Sequence, residues 1–264
     1  MKKNFCALFF ITIVMFFTGF LNSSYADFSV SIKDECGVPN CTDFRVEING
    51  IITKSDFLDF SRSVKKTDGK AFALSVSLNS GGGDLEAAIE MGRLIRKFNG
   101  FVVTFNKGVC YSSCVFILAG GVTRSLSSTI GIHRPYSIGT EDRKYQDIQN
   151  EQRHLAKIAK EYLEEMNVLP SLYDAMVVIP PEKIKLLSQA DLQGYGILKI
   201  DPVMQELTDT NYAREYGLSK TEFMRRKSQV ATICASENSY GERTGDFSAS
   251  HDCEDNVFRS RSTH

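Results

Sequence analysis

The chain has 264 residues, 42% of them hydrophobic and 24% charged, with a formal charge of −1. That is ordinary globular composition, enough for one large domain or two small ones. A near-neutral charge without a long basic run lacks the electrostatic footprint of a nucleic-acid binder, so no nucleic-acid partner is expected.

Lys2 and Lys3 precede an apolar run, Phe5 to Leu21, and then Asn22-Ser23-Ser24-Tyr25-Ala26. Small residues at Ser24 and Ala26 suit cleavage before Asp27. The run spans about 25 Å as a helix, short of a hydrocarbon core of roughly 30 Å. Residues 1–26 are therefore expected to be a signal peptide, with an uncleaved anchor as the alternative. Cleavage removes Lys2 and Lys3 and takes the formal charge to −3. The mature chain is expected to be periplasmic or secreted, with no stable membrane span.

Six cysteines remain beyond Cys6: Cys36, Cys41, Cys110, Cys114, Cys234 and Cys253. An even number in an exported chain reads as structural disulfides, although six cysteines allow 15 connectivities. Short loops favour Cys36 with Cys41 and Cys234 with Cys253. Cys110 and Cys114 then either bridge across an irregular turn or pair elsewhere, because helical i, i+4 spacing is near the upper limit for a disulfide. Zinc is the poorer reading, since no C-x-x-C is present and histidines are few. No metal or cofactor is expected.

Phe28 to Ile32 and Phe44 to Ile48 alternate as strands do. Thr53 or Ser55 can cap a helix reaching about Lys66, with Thr67-Asp68-Gly69 ending it. Phe72 to Leu78 reads as a strand that runs into Asn79-Ser80-Gly81-Gly82-Gly83-Asp84. A helix from Leu85 to Phe98 and a strand from Phe101 to Phe105 complete a βαβ unit with a parallel sheet.

The next stretch, Gly108 to Gly121, places Ser112 and Ser113 before an apolar run of helix length. Locally, these serines read as helix N-caps. A further strand is expected near Ser128 to His133. Residues 141–167 form the longest helix, with a narrow apolar seam of Ile148, Gln152, Leu155, Ala159, Tyr162 and Met166. Shorter helices follow at 172–179 and 188–193, then a turn and a final strand over 194–200. The chain divides into an α/β domain, 27–201, and a helical, partly disordered tail, 202–264, containing one disulfide. In the tail, Ser219-Lys220-Thr221-Glu222 is a capping box.

Three features fall at the ends of consecutive strands, where open α/β sheets bind ligands. They are Gly81-Gly82-Gly83, Ser112-Ser113 and His133. Acyl transfer needs a nucleophile, a base and N–H donors for the oxyanion. His133 is the one histidine ending an apolar strand, as against His154 in a polar helix and His251 and His264 in the tail. The bland reading of His133 is a satisfied interior histidine. A phosphate cradle at the glycines is disfavoured, since neither a following Lys-Ser or Lys-Thr nor G-x-G-x-x-G is present.

Three segments, in this order, resemble the proteolytic subunit of Clp protease: Asn79-Ser80-Gly81-Gly82-Gly83; Ser112 with Phe116-Ile117-Leu118-Ala119-Gly120-Gly121; and Ile132-His133-Arg134-Pro135. The closing Leu187-Ser188, Ala190-Asp191 and Tyr195-Gly196-Ile197 resemble it too. With Cys-x-Ser-x-Cys around Ser112 and the signal segment, the chain looks most like exported Clp-protease-like proteins. The resemblance covers roughly Phe44 to Ile200.

It implies a crotonase-like β-α superhelix and a serine hydrolase, probable in the peptidase class, acting on a peptide or protein. Ser112 would be the nucleophile, His133 the base, and the amides of Gly83 and Ser113 the oxyanion donors. The 141–167 helix would be a handle for homo-oligomer assembly. The family's third triad member is an aspartate four residues before the closing serine, and here that position is Ile184. Glu182 and Asp174 are the substitute candidates. The alternative function is a non-catalytic binding or assembly protein that has lost the acid; acyl-CoA chemistry on the same fold is a third reading.

Overall fold

A computed structural model describes residues 27–33, 42–66, 72–136 and 143–260. The signal segment, Cys36 and Cys41 with the turn between them, and Thr67-Asp68-Gly69 lie outside these residues.

Strand β1 (Asp27–Lys33) pairs antiparallel with β2 (Thr42–Ile52). Phe44, Val46 and Ile48 of β2 are fully buried while Arg45 and Glu47 face outward, the period-two pattern of a half-buried strand. Helix α1 (Lys54–Lys65) starts at Thr53, whose hydroxyl accepts from the Asp56 N–H while the Asp56 carboxylate accepts from the Thr53 N–H. That reciprocal pair satisfies two donors a helix start otherwise leaves open.

Strand β3 (Phe72–Gly83) is the long central element, parallel to β2. Its first half pairs with β4 (Phe101–Thr104), and its far end pairs with β5 (Val109–Tyr111). Further parallel pairs join β4 to β6 (Thr123–Ser125) and β5 to β7 (Thr129–Ile132). Only β1 and the two-residue β8 (Lys185–Leu186, on β7) are antiparallel among the described strands. The chain is thus mixed α/β with a mostly parallel sheet.

One irregularity in β3 matters for the site. Its register with β2 passes from Asn49↔Asn79 to Ile51↔Gly82, so β3 carries one extra residue around Ser80 and Gly81. The Ser80 hydroxyl donates to the Gly50 carbonyl and accepts from the Gly82 N–H, pinning the bulge. Bulges of this kind re-aim the chain beside functional sites.

Helices α2 (Leu85–Lys97) and α3 (Cys114–Gly120) cross in close contact. A Cβ on Gly120 would lie 2.5 Å from Gly92 backbone, and one on Gly92 would lie 1.8 Å from the Tyr162 hydroxyl oxygen. Tyr162 is fully buried and donates to the Phe116 carbonyl at 2.6 Å, docking α4 (Tyr145–Glu165) onto α3. Residue for residue, α3 is completely buried. In α4 only the second half packs inward, through Ala159, Tyr162 and Leu163. In the first half of the expected seam Ile148 and Leu155 are half-buried and Gln152 is exposed.

Helices α5 (Ser171–Val177) and α6 (Gln189–Gly194) follow. The expected strand over 194–200 does not form. The Leu192 carbonyl accepts from both the Ile197 and Leu198 N–H groups, and Gly196 is left-handed at φ +88°, so the backbone closes the end of α6 instead of joining the sheet.

Arg124 then gathers this region. It is 4% exposed and donates to five carbonyls, those of Gly121, Gly196, Ile197, Ala119 and Met166. Burial pushes its pKa down to about 10, opposed by Asp201, so it remains a cation at neutral pH. Asp201 is 3.5 Å from Arg124 and 2.7 Å from Arg96, the latter an ion pair without hydrogen-bond alignment. The other Asp201 oxygen accepts from the Val203 N–H, capping the next helix.

That helix is α7 (Pro202–Glu215), followed by α8 (Lys220–Ile233), α9 (Ala235–Thr244) and α10 (Ser248–Arg259). Within the expected tail, 202–264, helices occupy most of residues 202–259. Two things compensate for the sparse apolar content. Phe258 stacks on Phe223 at 4.8 Å and on Tyr216 at 5.0 Å, and Cys234 is bonded to Cys253. Arg226, buried, also donates to the Val257, Phe258 and Ser260 carbonyls at the end of α10, where a helix welcomes positive charge.

Candidate active site

The β3 bulge, the end of β5 and the end of β7 converge on one cleft of about 470 Å³. Gly83, Ser112, Ser113 and His133 all line it. Ser112 and His133 are each 8% exposed, and Ser113 is 2% exposed.

Ser112 follows β5 directly and has φ +55°. Its N–H donates to the Gly131 carbonyl on β7, and its own carbonyl accepts from Val115 as α3 begins. A Cβ on Gly82 would lie 2.7 Å from the Ser112 Cβ and 3.2 Å from the Ser113 nitrogen. The glycine therefore lets the β3 loop lie against the serine peptide, and both Gly83 and Ser113 line the cleft. Cys110 and Cys114, on either side of Ser112, are joined by a disulfide with Cα atoms 5.3 Å apart.

The Nδ1 atom of His133 lies 3.0 Å from the Arg134 carbonyl oxygen. A carbonyl oxygen carries no proton, so Nδ1 is the donor, and in the neutral imidazole Nε2 is then the acceptor. The Arg134 N–H in turn donates to the Ile179 carbonyl, which holds that peptide in place.

The acid position is different. The β7–β8 pairing ends with Gly131 facing Leu186 and Ile132 facing Lys185, so Ile184 comes just beyond the paired end of β8. Consistent with this, the Ile184 Cγ2 lies 2.6 Å from where a Gly131 Cβ would be. The substitute acids lie elsewhere. Asp174 is 61% exposed and paired with Lys160 at 2.6 Å, and Glu182 is exposed; neither lines the cleft.

Sequence reasoning missed Lys54, Asp84, Glu151 and Tyr136, which also line the cleft. Asp84 had a local signal, since it follows the glycines and its side chain accepts from the Ala87 N–H at the start of α2. Lys54 lies 3.9 Å from Asp84 and 3.7 Å from Glu86, and His154 of α4 lies 3.7 Å from Glu86. No local pattern marks Glu151 or Lys54, because tertiary packing alone brings them there.

A family model described as Clp protease matches residues 66–198, half of the chain. The chain belongs to the Clp protease family. The matched stretch holds the β3 loop, the Ser112 turn, His133 and α4, and it ends just before Asp201. Among solved structures, a mutant of the membrane-bound stomatin-specific protease 1510-N matches with a TM-score of 0.43 at 18% identity, over 61% of this chain and 80% of that one. No curated protein matches.

Proposed function

We propose that this chain is an exported serine hydrolase of the peptidase class, with Ser112 as nucleophile and His133 as general base. The observation that carries the reading is the His133 ring, whose Nδ1 lies 3.0 Å from the Arg134 carbonyl oxygen, leaving Nε2 of the neutral imidazole as acceptor, in the cleft that Ser112 also lines. Membership of a protease family supports the reaction class.

In this mechanism Nε2 takes the Ser112 hydroxyl proton as Oγ attacks the scissile carbonyl. The developing oxyanion is met by the Gly83 and Ser113 N–H groups, the latter at a helix start where donors are free. The imidazolium then hands the proton to the leaving amine, giving an acyl-enzyme. A water, deprotonated by the same nitrogen, releases the acid and restores the serine.

Export is supported by the two disulfides, which persist in oxidising compartments. No helix among the described residues is long and apolar enough to cross a membrane. Self-assembly through the projecting half of α4 completes the proposal, with a peptide or protein as substrate.

A second reading, a non-catalytic binding protein, is favoured by one observation: neither Asp174 nor Glu182 lines the cleft that holds His133. A fluorophosphonate probe separates the two. Hydrolase chemistry predicts labelling of the oxidised wild type and none in Ser112→Ala. A folded, oxidised wild type that stays unlabelled, yet binds peptide as Ser112→Ala does, supports the binding protein instead.

A further inference from the structure

Four non-glycine residues among those described have positive φ: Asn99, Lys107, Ser112 and Asn167. Asn99, Lys107 and Asn167 are exposed at turns or helix ends, where the chain is free to choose that conformation. Ser112 alone is buried, and serine has no special tolerance for the left-handed region. Something in the surroundings must hold it there.

The hydrogen bonds around it are few. The Ser112 N–H reaches Gly131, and the first turn of α3 uses the Ser112 and Ser113 carbonyls. Ser113, at the N-cap position, makes no side-chain capping bond. The covalent tie is stronger. Cys110 sits in β5, between Ser80 of β3 and Ile130 of β7, and is fully buried. Cys114 is the first residue of α3 and is also fully buried. The disulfide therefore fastens the helix start to a strand fixed on both sides, and Ser112 is the middle residue of the ring it closes.

We infer that the Cys110–Cys114 disulfide is a positioning clamp for the Ser112 hydroxyl, set once during oxidative folding. Burial of both cysteines argues against a rapidly reversible switch, because a thiol must reach a sulfur to exchange with it. Reduction during folding leaves two thiols where the S–S bond would be, with two electrons and two protons drawn from a dithiol that closes to its own disulfide. The chain then folds around the same core, but the Ser112 turn is free to relax. The inference rests on the serine-hydrolase reading for its consequence, and on backbone geometry for the clamp itself.

The test compares wild type, Cys110→Ser/Cys114→Ser and the control Cys234→Ser/Cys253→Ser, by fluorophosphonate labelling rate, far-UV circular dichroism and hydrogen exchange over 110–116. A displacement of about 1 Å at a reacting group can cost about 100-fold in rate. The first double variant is expected to keep its fold, lose labelling by about that factor, and exchange faster over 110–116. The control should label like wild type. Wild type refolded in dithiothreitol should behave like the first variant, whereas folded, oxidised wild type should keep its rate in the same reductant.

Equal labelling and equal exchange in the folded double variant overturn the clamp. Should the serine pair not fold, Cys110→Ala/Cys114→Val supplies apolar volume, and unchanged labelling and exchange there overturn it equally. If wild type itself is unlabelled, the hydrolase reading fails, while the exchange comparison still decides whether the disulfide holds the turn.

Discussion

Extending the β7–β8 register one residue past Ile132 and Lys185 puts Ile184 opposite His133, where an aspartate would restore a carboxylate. Facing residues of an antiparallel pair have Cβ atoms about 4.5–5.5 Å apart, within reach of a carboxylate and an imidazole. At about 5 Å, two unit charges attract by roughly 0.8 kcal/mol in water and about 3 kcal/mol at an effective dielectric constant of 20. Ile184 is 45% exposed, which places the pair towards the watery limit, at about 1–2 kcal/mol. That energy acts only when His133 has taken the Ser112 proton, so it lowers the barrier more than it stabilises the resting site. At about 1.4 kcal/mol per tenfold, Ile184→Asp should acylate roughly 5- to 30-fold faster than wild type. The fluorophosphonate labelling rate, measured at neutral pH on folded protein, is the assay. Ile184→Asn, without the charge, should show no such gain. A folded Ile184→Asp protein that labels no faster than the asparagine variant would refute both the register and the electrostatic argument.

Two further outcomes follow from the same geometry. Gly82→Ala should abolish most labelling, by about 100-fold or more, because φ is +106° and the new Cβ would lie 2.7 Å from Ser112 Cβ and 2.9 Å from the Tyr111 carbonyl; a thermal melt would show that the protein still folds, and near-wild-type labelling would contradict the packing described. Acidification should loosen the tail: hydrogen bonds from Arg225 and Arg226 pull Glu222 down to about 2, so its contribution to stability is complete above about 4.5 and is lost as pH falls towards 2. Thermal melts across that range should fall more steeply for wild type than for Glu222→Gln, and parallel slopes would dismiss the pair.

The long elements were legible because their signals are local. Alternation in β2, the Thr53 and Ser219 caps, and the strand–glycine–helix order of β3 and α2 need no distant partner to be read. The short strands carry no such signal. Val109–Tyr111, Thr123–Ser125 and Lys185–Leu186 are strands only because neighbouring backbone pairs with them. The apolar run Ile197 to Ile200 erred in the opposite direction, since α6 takes up its N–H groups. Helical spacing put Cys110 and Cys114 near the limit for bonding. The actual path, a strand end followed by a left-handed serine, brings their Cα atoms to 5.3 Å. At the candidate site, Ser112 and His133 stood out by motif and by elimination among four histidines. Where Ile184 falls beside β7 depended on the β7–β8 register, and the Arg134 carbonyl contact on a single peptide orientation; neither is written in residue types.

Asp201 gives the molecule an indivisibility that its sequence blocks conceal. One carboxylate oxygen lies between two guanidinium groups of the family domain, and the other starts the first helix of the tail. A chain cut after Ile200 would keep both arginines and lose their counter-charge, and a buried cation stripped of its anion costs far more than an exposed one. The natural excision point for the domain therefore lies beyond the stretch that matches its family. As the residue where domain and tail meet, Asp201 both closes the interior of the one and starts the first helix of the other.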